Sequence, residues 1–83
     1  MARLLTDRRA AVLRRLCAGA SSGEVARELG ITEEAVRSHL HLIRRRLGAA
    51  ALPELCRRGG PDVAAAERRA TERAGQHPAR NGP

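Results

Sequence analysis

Threonine or serine stands just before three apolar-periodic runs of this chain, at Thr6, Ser21 and Thr32, and glycine stands just after them, at Gly19, Gly30 and Gly48. A hydroxyl side chain accepts from the free N–H groups of a helix's first turn, and glycine enters the left-handed backbone that ends one. This punctuation fixes short helices and leaves no room for strands. In the first run Val12, Leu13 and Leu16 recur at helical spacing over about residues 7–18, behind Thr6. In the second, Ser21 and Glu24 have the spacing of a capping box, and Val25, Ala26 and Leu29 turn inward. The third begins with Glu33 and Glu34 at the positive end of the helix dipole and ends with Arg44, Arg45 and Arg46 at the negative end. A shorter fourth helix is expected over Leu52–Arg58, with Pro53 in its first turn and Leu55 and Cys56 inward. The predicted fold class is all-α.

Composition restricts what such a fold can do. The chain has 83 residues and no Phe, Tyr or Trp, so its core is aliphatic and it has no platform on which to stack bases. All 16 basic residues are arginine and the net charge is +7. Residues 1–58 hold 12 arginines against six acidic residues, a net +6. A compact basic domain of this kind attracts polyanions, and duplex DNA, an anionic membrane surface or an acidic protein are the candidate partners. After Arg58 the segment "GGPD" reads as a linker, and residues 59–83 lack large apolar side chains. They are expected to form a disordered or weakly helical tail. Cys17 and Cys56 lie far apart among apolar neighbours, and are read as small core side chains in a reducing compartment. No run is long enough to span a membrane, so the expected location is the cytoplasm.

At about 100° per residue, Val36, Leu40, Ile43 and Leu47 share one narrow stripe of the third helix. The opposite side then carries Glu34, Ser38, His41 and Arg45, flanked by Arg37 and Arg44. On an isolated helix this would be a solvated face. Behind a short capped helix and a tight glycine-containing turn, it is the face that enters a major groove in a helix-turn-helix. His39 and His41 point about 160° apart and cannot share a metal ion. No nucleophile, base or paired carboxylate has a pocket to work in, so neither an enzyme, a cofactor nor a metal is expected. A cationic membrane-surface helix is disfavoured, because the apolar stripe is needed for folding.

These residues resemble the LuxR-type (GerE-like) helix-turn-helix of bacterial transcription regulators. The likeness runs through Leu5-Thr6, Arg8, Val12-Leu13, Leu16, Gly19, Ser21, Glu24-Val25-Ala26, Leu29-Gly30-Ile31, Val36-Arg37, His39-Leu40, Ile43, Leu47-Gly48 and Glu54-Leu55, covering residues 4–58. It implies a four-helix domain whose third helix reads double-stranded DNA, with Arg37, Ser38 and His41 toward base edges. Ser22, His39, Arg44 and Arg45 are the expected phosphate contacts, although His39 could equally pack at the flank of the stripe. The fourth helix, through Leu52, Leu55 and Cys56, would be a dimer contact. That gives a homodimer on DNA or a heterodimer with another regulator, with RNA polymerase as a further partner. Some positions depart from the family pattern. Arg9 stands where a glutamate usually closes the first capping box, and Gly23, Glu34 and Ala35 replace residues placed near phosphates. Ala51 replaces the usual cap of the fourth helix. Sequence-specific transcription regulation is therefore the expected function. The alternative is a protein-interaction module that keeps the fold, binds DNA weakly or not at all, and dimerises with or antagonises another regulator; a sigma-factor region-four-like promoter element is a third reading.

Overall fold

The computed structural model describes residues 4–75. They form four α-helices, α1 (Asp7–Cys17), α2 (Ser22–Leu29), α3 (Glu33–Leu47) and α4 (Leu52–Gly75). Each expected cap forms. Thr6 Oγ1 accepts from the Arg9 N–H at 3.2 Å, and Thr32 Oγ1 from the Ala35 N–H at 3.0 Å. At α2 the box is reciprocal: the Glu24 N–H donates to Ser21 Oγ at 3.1 Å and the Ser21 N–H to Glu24 Oε1 at 2.8 Å. Receiving that backbone N–H holds the Glu24 carboxyl below the usual carboxylate range. Gly30 and Gly48 each take φ +69°, a left-handed conformation costly for a residue with a Cβ. The Ile31 N–H then reaches back to the Ala26 carbonyl at 2.9 Å and closes the end of α2.

The core consists of Leu5, Ala10, Val12, Leu13, Leu16, Val25, Ala26, Val36, Ile43, Leu47 and Leu55. On α3 the expected stripe is buried at Val36, Ile43 and Leu47, whereas Leu40 is half-buried against the core's edge. Among the described residues, no helix is long and apolar enough to cross a membrane.

The structure corrects the expected end of the fourth helix and the expected state of the cysteines. The fourth helix does not stop at Arg58 but runs through "GGPD" to Gly75, so of the segment expected to be disordered or weakly helical, residues 59–75 are helical. Residues 76–83 lie outside the described residues. The cause is tertiary. Gly59 is buried where a Cβ would collide with Leu13 Cδ2 and come within 3.2 Å of Leu47 Cδ1, so only glycine lets α4 lie this close to α1. Val63 and Ala66 continue the same helical face, and with Ala10 and Ala11 they line the groove between α4 and α1. Asp62 Oδ2 accepts from the Leu5 N–H at 2.5 Å, the Arg69 guanidinium forks onto Asp7, and Arg14 Nε lies 3.3 Å from Glu67 Oε2. Small residues thus let the two helices pack closely, and partly exposed ion pairs flank the seam.

The second correction concerns the cysteines. Cys17, the last residue of α1, and Cys56, on the second turn of α4, form a disulfide with their Cα atoms 5.9 Å apart. They are not separate core hydrophobes: Cys17 is exposed and Cys56 half-buried. Burial of the adjacent Leu55 swings α4 across the end of α1 and brings the two sulfurs together.

Ile43→Ala, which empties a fully buried site, is expected to cost about 2–5 kcal/mol in chemical denaturation. The neighbouring glycines of α4 should respond unequally. Gly59→Ala overpacks the α1–α4 seam and is expected to destabilise by about 1–3 kcal/mol. Gly60→Ala, where an added Cβ meets nothing within 4 Å apart from its chain neighbours, should cost less than Gly59→Ala, since crowding against Pro61 opposes the gain in helix propensity. Equal responses in thermal melts would contradict the packing described.

Candidate nucleic-acid interface

The turn of residues 30–32 sets α3 across the end of α2, and the two helices pack through Val25, Ala26 and Val36. With its stripe held inward, α3 leaves Arg37, Ser38, His41, Arg44 and Arg45 exposed. Ser38, His41 and Arg45 follow one another at three- and four-residue spacing, so they form a single outer row, with Arg37 and Arg44 beside it. Glu34 heads the same row at the N-terminal end of α3 and is also exposed.

The arginines of this face are not equally available. Arg37 Nη1 stands 3.5 Å from Glu33 Oε1, one turn back, with both side chains mostly in solvent. Such a pair is worth about 0–1 kcal/mol and is easily surrendered to a better acceptor. Arg44 Nε donates to the Ala50 carbonyl at 3.1 Å, tying α3 to the loop that follows it. Arg45 extends from the exposed row. Ser22, the first residue of α2, is half-buried. Beside it, a Cβ on Gly23 would lie 3.1 Å from Glu33 Oε2, a flexible carboxylate that can move aside. A basic side chain introduced there would meet Glu33 at once.

His39 sits at the edge of the face. Its ring is half-buried, and Nδ1 is enclosed without a hydrogen-bond partner among the described residues, as is Nε of Arg9. Desolvation, followed by the charges of Arg9 and Arg8, holds the imidazole below its ordinary value of 6.5. Arg8 and Arg9 were not among the expected site residues. They lie on α1, and only the packing of α1 against α3 brings them to His39, so no local pattern could have placed them.

The expected dimer contacts are divided by the fold. Leu55 is wholly buried in the core and Cys56 is bonded to Cys17, so neither is a free surface side chain. Leu52 keeps 39 % of its surface exposed. The cause is the crossing of α4 over α1, which turns Leu55 inward and leaves the first residue of the helix outside.

His39 makes stability depend on pH. Because the folded state disfavours the imidazolium, it binds fewer protons than the unfolded chain once pH falls below about 6.5. The contribution is whole above that value and is lost as pH falls through the lower folded pKa. Thermal melts between pH 7 and pH 5 should show a falling midpoint, and His39→Gln should flatten that part of the profile. An unchanged slope in the variant would assign the loss to other groups.

Residues 3–58 match the family of bacterial regulatory proteins named luxR, through its GerE domain. The matched stretch takes in α1, α2, α3 and the opening turns of α4, and leaves the rest of α4 outside. No curated protein and no solved structure matches the chain significantly. More than half of the chain falls within the match, including the helix-turn-helix pair and the helices that brace it. The chain belongs to the luxR family of bacterial regulatory proteins, a family of DNA-binding regulators whose helix-turn-helix domain it carries.

Proposed function

We propose that the chain binds specific sequences of double-stranded DNA by laying α3 in the major groove, and regulates transcription from there. The observation that carries this reading is the exposed row of Ser38, His41 and Arg45 with Arg37 beside it, on a helix whose opposite face is locked into the core. Arg37 is the residue we assign to guanine, since its fork can donate to O6 and N7 together and its present partner Glu33 holds it only at the surface. Ser38 and His41 would face neighbouring base edges. Arg45, the remaining donors of Arg44, and Ser22 would contact phosphates, with Arg8 strengthening the field at the edge of the face. Two chains would meet through the start of α4 around Leu52, placing two reading helices on related half-sites about one helical turn apart. This role puts the chain with the chromosome in the bacterial cytoplasm.

Glu34 opposes binding as the sequence stands, because it presents an anion at the end of α3 that enters the groove. Titration of random and selected duplexes at two salt concentrations tests the proposal. Wild-type affinity should fall steeply as salt rises. Glu34→Lys should tighten binding to every duplex and, where it makes a new phosphate contact, steepen the log–log slope by about 0.9. Arg37→Ala should cost about 1–3 kcal/mol of discrimination and relax the sequence preference as well as the affinity. A Glu34→Lys protein that stays helical by circular dichroism yet binds no duplex at low salt would overturn the DNA reading.

A further inference from the structure

The disulfide spans 39 positions, and the ring it closes contains α2 and α3 entire. Its two anchors are the end of α1 and the second turn of α4, the helices that brace that pair from outside. Cys17 is an exposed residue at the end of α1, while Cys56 beside it is half-buried. These are the ingredients of a reversible couple: an accessible thiol that reacts first, and a second thiol held beside it to resolve the product.

We propose that Cys17 and Cys56 form a redox couple that sets how much of the helix-turn-helix is folded. In the reduced chain the Cys17 thiolate attacks one sulfur of a low-molecular-weight disulfide, RSSR, forming a mixed disulfide and releasing RS⁻. The Cys56 thiolate then attacks the Cys17 sulfur and releases the second RS⁻. The two thiol protons pass to these leaving groups, so protein dithiol and RSSR become protein disulfide and two RSH. Two electrons leave the protein, and RSSR receives them. Oxidation closes the ring and removes much of the freedom of the unfolded chain, whereas reduction leaves the aliphatic core to hold α2 and α3 alone. In a compartment kept reducing by small thiols such a bond is transient, which suits a signal better than a permanent staple. That it signals to DNA rests on the function proposed above. The couple itself rests only on the paired sulfurs and the ring they close.

The experiment equilibrates the full chain in mixtures of reduced and oxidised glutathione, reads the loss of two hydrogens in the intact mass, and melts each sample by circular dichroism. A reversible midpoint in the glutathione ratio is expected, with the oxidised form melting about 10–30 °C higher. Cys17→Ala and Cys56→Ala should each melt like reduced wild type and ignore the ratio. The proposal is overturned if both thiols stay free at every ratio, if the bond forms only between chains, or if oxidised and reduced protein melt together. Duplex binding, measured between the two melting midpoints, should be at least tenfold weaker in the reduced form. Absence of DNA binding in both forms would strike the DNA reading, while mass and melting still decide the couple.

Discussion

With no aromatic ring to fill space, the bundle must obtain its buried area by bringing helix backbones together, and the α1–α4 seam is where this is done. Gly59 sets the distance. Without a Cβ it receives Leu13 of α1 on one side and Leu47 of α3 on the other, so a single position fixes α4 against both neighbours. Leu55, one turn earlier, is then wholly buried. Everything outside the seam follows from it: the ion pairs of Asp7 and Arg14 with the later turns of α4, the placement of Leu52 outside, and the meeting of Cys17 with Cys56.

The seam also changes the meaning of the positive charge. A net +7 suggests a chain covered in free cations, but much of the arginine is committed within the fold. Arg15 pairs with Glu28 at 2.8 Å and joins α1 to α2. Arg58 donates to the Leu47 carbonyl at 2.8 Å and the Gly48 carbonyl at 3.2 Å, supplying donors that the end of α3 lacks, and also meets Glu54. Arg14 and Arg69 hold α4 to α1. Along α3, Arg37, Arg44, Arg45 and Arg46 are exposed, Arg37 beside Glu33 and Arg44 bonded to the Ala50 carbonyl.

What the sequence makes legible is what short-range chemistry decides. Thr6, Ser21, Thr32, Gly30 and Gly48 act on groups within about one helical turn of themselves, so caps and ends can be read before any packing is known. The stripe of α3 is legible for the same reason, and with it the outward direction of Arg37, Ser38 and His41. The length of α4 is not. "GGPD" carries every local sign of a linker, and the energy that overrides it comes from Leu13 and Leu5, more than forty residues away. The stripe of Gly59, Val63 and Ala66 does have helical spacing, but side chains so small attract notice only when a partner helix is known to lie against them. The cysteine pair fails by the same logic. Each thiol has an apolar setting in sequence, and neither setting tells that α1 ends where α4 passes.

The exposed face of α3 therefore depends on the helices that brace it as well as on its own residues. The α2–α3 pair contributes Val25, Ala26, Val36, Ile43 and Leu47 to the core, too little apolar surface to stay folded unless α1 and α4 close over it. Whatever loosens the seam will loosen α3 before it alters a single exposed arginine. The family match ends at residue 58, within α4, and the turns beyond it reach back to Asp7. A ring closed across the same two helices acts on the same weak point. Covalent and non-covalent support of α3 thus converge on α1 and α4.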